Sequence, residues 1–162
     1  MSKWRKLWQL SWADRRLLLQ AAVLLIYAKL RLAHIDFRAD SAADSAASFR
    51  GQSPAENNAP SELEVARAQS IARLVAIASA HSFVRVACLH RSLALWWLLR
   101  RQGIRCDLRI GIKAPTPGFE AHAWVEYAGI ALDDTGALSA SFRPFARPVV
   151  PVGLAPPGFG HR

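Results

Sequence analysis

Three residue types in the second half of the sequence have the spacing of acyl chemistry: Cys88, then His122, then the adjacent acids Asp133 and Asp134. Opening an amide with a thiol needs a thiolate, a base near enough to manage its proton, and a group that orients the base. Cys88 falls in the first turn of 87-ACLHRSLALWWLLRRQG-103, where Leu89, Leu93, Trp96, Trp97 and Leu99 set a helical period. At a helix start, the positive end of the dipole and unpaired N–H groups favour the thiolate over the thiol. The same N–H groups can bind an oxyanion, worth roughly 2.7–4 kcal/mol per donor.

The elements that must position these groups read as follows. Arg100 and Arg101 suit the negative end of the Cys88 helix, and Gly103 is its expected stop. The period then changes: in 105-RCDLRIGIK-113, Leu108, Ile110 and Ile112 alternate with Asp107, Arg109 and Gly111, a strand pattern. After the loop 114-APTPG-118, 120-EAHAWVEY-127 and 130-IALDD-134 form a hairpin turning at Ala128-Gly129. That register sets Asp133 or Asp134 opposite Ala121–Ala123, so a cross-strand His–Asp pair is permitted and either aspartate can supply it.

Upstream, Ser11 and Asp14 form a capping box with a shorter acid, predicting a helix from Trp12 to about Ala33. Apolar residues crowd more than one of its faces, which predicts central packing rather than a surface position. Ser61 and Glu64 in S-E-L-E open a further helix to about Ser79, with Ile71, Leu74, Val75 and Ala78 inward. Between them, 38-RADSAADSAASFRGQSPAENNAP-60 has the composition of a flexible connection. The expected organisation is an N-terminal helical segment over 1–36, a connection over 37–60, a core over 61–150 and a tail over 151–162. Within the Pro-rich end, Phe142, Phe145 and Val149 are candidates to pack on the sheet edge. The fold class that follows is α+β, helices packed on a small antiparallel sheet.

Bulk composition narrows the function classes. The 162 residues are 52% hydrophobic, enough for one core, and Lys+Arg 21 against Asp+Glu 12 gives a net charge of +9. Such a surface favours an anionic partner. No nucleic-acid-binding signature is present, so no nucleic acid is expected. Cys88 and Cys106 are expected as free thiols, since there is no CxxC and no credible export signal. The uninterrupted apolar stretch 21-AAVLLIYA-28 falls far short of a bilayer span, and the expected location is the cytoplasm. Peripheral membrane contact through the basic, Trp-containing lead-in is conceivable but not expected.

Cys88 at a helix start, His122 in HAWVE and an aspartate about a dozen residues later resemble the transglutaminase-like branch of the papain-like cysteine-protease superfamily. More narrowly, 88-CLHRSLALWWLLRRQGIRCDLRIGI-112 with 121-AHAWVEYAGIALDD-134 resembles the lasso-peptide leader peptidases. The close similarity covers about Ala87 to Asp134, with a weaker one in 4-WRKLWQLSWADRRLLLQAAVLLIYAKLRL-32. The resemblance implies a transglutaminase-like fold, Cys88 as nucleophile, His122 as general base and then acid, and Asp134 rather than Asp133 as the orienting acid. It also implies a reaction, removal of the leader from a ribosomally made precursor, and the partners that go with it: the precursor peptide, an ATP-dependent cyclase and a separate leader-recognition protein. The segment before Ser61 has no room for a fused recognition domain, as expected of the stand-alone type. No cofactor is implied. A transglutaminase-like acyltransferase and a non-catalytic binding or scaffold protein of the same fold are the alternatives.

Blander readings stand beside these. A cysteine among apolar neighbours is usually core, and Cys88 rises above that only with His122, the aspartate and the motif. Cys106 reads as structural. His90 points away from Cys88, since adjacent residues on a helix diverge by ~100°, and is a poor base; His81 suits a helix end. No His/Cys pair has the spacing of a closed metal site, so no metal is expected. Arg91 has either an internal ionic role or a substrate contact. Trp124 shares a face with His122, as a core wall or a substrate-binding wall of the cleft, and Glu126 of the same parity reads as a rim charge.

Overall fold

The computed structural model describes residues 11–33, 61–82, 86–113, 120–133 and 137–145. The 37–60 connection, the loop after Lys113, Asp134, Val149 and the 151–162 tail lie outside the described residues.

Helix α1 spans Trp12–Ala33. Its start is set locally: Ser11 Oγ accepts from the Asp14 N–H at 3.1 Å and donates to the Asp14 carboxylate at 2.8 Å. Helix α2 spans Glu62–Ala80, opened by a full capping box between Ser61 and Glu64 and closed at His81. Helix α3 spans Cys88–Arg101, its end tightened by the Gln102, Gly103 and Ile104 N–H groups returning to the last turn.

These three helices share one core. Leu24, Leu25 and Ala28 of α1 meet Ile71, Ala72 and Val75 of α2 and Leu93 to Leu99 of α3, with Leu108 and Val125 from the sheet beneath. Tyr27 stands edge-on to the fully buried Trp97, centroids 5.8 Å apart. The expectation of central packing for α1 is corrected here. One face of α1 is buried, while Leu19, Val23, Ile26 and Leu30 on another are exposed. The sheet covers only part of the helical layer, so α1 lies on the outside.

The sheet holds β1 (Asp107–Ile112), β2 (Ala121–Tyr127), β3 (Ile130–Ala131) and β4 (Arg143–Pro144), in the order β3-β2-β1-β4 and antiparallel throughout. The short helix α4 (Ala137–Ala140) precedes β4. β1 and β2 pair over six positions, from Asp107 with Glu126 to Ile112 with Ala121. The β2–β3 turn is tight, with Ala128 at φ 51° and Gly129 at φ 77°. Both values are those of a two-residue hairpin whose twist matches its strands. β4 and α4 went beyond the sequence expectations, since two to four residues carry too little period to show. Helices packed on a small antiparallel sheet make the fold α+β.

Candidate active site

Cys88 is the first residue of α3 and is half-buried. Four residues on, a single polar side chain interrupts the apolar face of the helix: Ser92, fully buried. Its hydroxyl lies 2.9 Å from the Ala123 carbonyl oxygen, so the first turns of α3 are fastened to β2 beside His122. Two turns from the start of α3, Trp96 Nε1 donates to the Cys106 carbonyl at 3.1 Å. Cys106 adjoins Asp107, whose partner across the ladder is Glu126. The helix therefore runs along β2 in the sense of the strand, and its beginning lies toward the Ala121–His122 end. Cys88 is one turn, about 6 Å of helix axis, before Ser92.

His122 is 93% enclosed, with only 7% of its surface exposed. Its ring stacks on Trp124 at 5.9 Å between centroids and 16° between planes, and Phe142 tilts against it at 5.2 Å. Alternation along β2 gives His122, Trp124 and Glu126 one face, while Ala123 and Val125 take the face that meets α3. Gly111 opposite His122 is required by this packing: a Cβ there would come within 2.9 Å of the Trp124 ring and 3.0 Å of the Arg143 carbonyl.

Among the described residues, β3 pairs with β2 at Glu126 and Tyr127 and does not reach His122. β3 ends at Ala131, and Leu132 N–H makes one more bond to the Val125 carbonyl. Asp133 then closes the edge: one carboxylate oxygen accepts from the Val125 N–H at 2.7 Å and the other lies 2.5 Å from Ser92 Oγ. Arg91 donates to the Asp133 carbonyl at 2.8 Å. Burial pushes the Asp133 carboxyl above the ordinary carboxylate range, against the opposing bonds from Ser92 and Val125 and the nearby Arg91. Asp133 and Arg91 thus join α3 to the sheet edge. Asp134, the acid singled out in the sequence, falls outside the described residues.

The remaining candidates have defined surroundings. Trp124 is buried and donates to Glu126 at 2.9 Å; Glu126 also pairs with Arg109 at 3.0 Å. Glu126 is thus tied into the sheet on both sides rather than standing as a rim charge. Cys106 is buried, and that burial pushes its thiol up to about 12, which keeps it protonated and unreactive near neutral pH. His90 is held below its usual value by burial, then by Lys29. His81 closes α2, its Nδ1 2.9 Å from the Ile77 carbonyl. Two members of the site escaped sequence reasoning in their roles. Ser92 was legible as a polar residue on an apolar helix face, whereas Phe142 was expected to pack on the sheet edge and its contact with His122 was not foreseen.

A family model described as Transglutaminase-like superfamily matches residues 24–147, more than half of the chain. No curated protein and no solved structure matches.

Proposed function

Because the chain belongs to the transglutaminase-like superfamily, we propose that it is a cysteine endopeptidase removing the leader from a ribosomally made lasso-peptide precursor. One observation carries the reading: Ser92 Oγ lies 2.9 Å from the Ala123 carbonyl oxygen, which seats the helix that Cys88 begins against the strand position next to His122. The reading requires the Cys88 sulfur to meet the His122 ring, which takes the face of β2 away from α3, around the edge of that strand.

In the proposed reaction, His122 takes the Cys88 proton and the thiolate attacks the scissile carbonyl carbon. N–H groups at the start of α3 receive the oxyanion. The C–N bond breaks, His122 returns the proton to the leaving amine, and an acyl-enzyme remains on Cys88. Water, deprotonated by His122, then hydrolyses the thioester. Asp134 orients the imidazole and stabilises its charged form, since both Asp133 oxygens already serve Val125 and Ser92. The work is shared with a separate leader-recognition protein that presents the precursor, and an ATP-dependent cyclase takes up the freed amine, all in the cytoplasm.

The test uses the full chain, its precursor and the recognition protein, with products read by mass spectrometry. Cys88→Ala abolishes cleavage while circular dichroism stays that of the native chain, and His122→Ala does the same. Undiminished cleavage by Cys88→Ala would sink the assignment. A covalent precursor adduct in place of separate leader and core would make the protein an acyltransferase working through the same acyl-enzyme.

A further inference from the structure

We propose that α1 rests on an anionic lipid bilayer surface through a ridge of Trp12, Leu19, Val23, Ile26 and Leu30. Opposite its buried face, Leu19 is 67% exposed, Val23 58%, Ile26 49% and Leu30 56%, and Trp12 at the helix start is 79% exposed. From Leu19 to Leu30 the steps are four, three and four residues, so these side chains form one stripe; Arg16 stands between it and Trp12. From Leu19 to Leu30 the stripe runs about 17 Å along the helix axis. A continuous apolar strip of that length on a surface is an interaction site rather than scattered exposure.

Charge and composition choose the occupant. Going around the helix, Arg15 and Lys29 flank the stripe on one side and Arg16 and Arg31 on the other. The one acid of α1, Asp14, is bonded to Ser11. A second copy of the chain would set these cations against their own kind. A partner helix packed in heptads takes Leu, Ile or Val at its seam, whereas Trp12 and Arg16 hold two of the six seam positions here. A bilayer interface accepts that mixture. Trp sits at headgroup level, and Arg and Lys lay their stems along apolar surface while their charges reach phosphate. The sequence just ahead of α1 continues the signature with Lys3, Trp4, Arg5, Lys6 and Trp8, and the whole chain carries +9. Among the described residues no helix is long and apolar enough to cross a membrane, so the contact is with the surface alone.

The experiment is co-sedimentation of the full chain with vesicles of phosphatidylcholine, alone or mixed with phosphatidylglycerol. The native chain sediments with the mixed vesicles and not the neutral ones, and added salt releases it. Leu19→Glu and Val23→Glu each weaken the partition by at least about tenfold, with unchanged circular dichroism. Arg16→Gln, which leaves the apolar ridge whole, weakens it about fivefold and carries the test should a ridge variant fail to fold. Cys88→Ala sediments as the native chain does, so the result is independent of any outcome on cleavage. No binding to the mixed vesicles, equal binding by Leu19→Glu, or a dimer in light scattering that Leu19→Glu dissolves would each overturn the proposal.

Discussion

At the scale of single residues, Asp133 ties the edge of the sheet to α3. Its carboxylate joins β2 and α3 through Val125 and Ser92, and its carbonyl takes Arg91. Burial is the largest influence on its pKa and raises it, so the folded chain binds this proton more tightly than the unfolded chain. The stability it contributes is therefore fully present below the ordinary carboxylate range and is lost as pH rises through the raised folded value. Asp133→Asn removes the titration while keeping an oxygen for Val125. The difference in unfolding free energy, native minus variant, should fall as pH climbs across that window. Denaturant unfolding of both proteins over a pH series measures it. A difference that stays flat with pH would show that the folded environment does not disfavour the carboxylate.

At the scale of elements, the β2–β3 turn decides how Asp133 reaches the sheet edge, because it sets the pairing of Glu126 with Ala131 and Tyr127 with Ile130. Ala128 occupies a left-handed conformation at φ 51° that asparagine tolerates better than alanine. Ala128→Asn should therefore raise stability by about 1 kcal/mol, read as a higher denaturant midpoint at unchanged slope, with cleavage unaltered. A lower midpoint would mean that the turn takes another form in solution. The same turn shows what was legible beforehand. Ala128-Gly129 and the alternation around it marked the hairpin, Ser11–Asp14 and Ser61–Glu64 marked two helix starts, and Cys88 was read into the first turn of α3. These are local signals, made by residues three or four apart. The acid that grips Ser92 was not legible, because strand register allows either aspartate and the deciding contact comes from a helix forty-one residues away in sequence. For the same reason the apolar residues of α1 could not be divided into buried and exposed: three turns of Leu, Ala, Val and Ile offer several equivalent stripes, and only the packing of α2 and α3 selects one.

For the whole molecule, the shared core makes α1 part of the unit that supports the site. Leu25, 1% exposed, packs in the cluster that also holds Val75, Leu93 and Trp97, and the family match itself begins within α1 at residue 24. If α1 were an appendage, it would melt ahead of the sheet and of α3. Packed as it is, its loss would expose α2 and α3 together. Leu25→Ala leaves a cavity in that cluster and should cost about 2–5 kcal/mol. The unfolding should remain one transition, coincident by tryptophan fluorescence, whose change on unfolding reports the buried Trp96, Trp97 and Trp124 among the six tryptophans, and by far-ultraviolet circular dichroism, which reports all three helices. Two separated transitions, with the helical signal lost first, would show that α1 folds on its own account. A single displaced transition would mean that the helix offering its ridge to solvent also holds in place, through its other face, the helix that begins with Cys88.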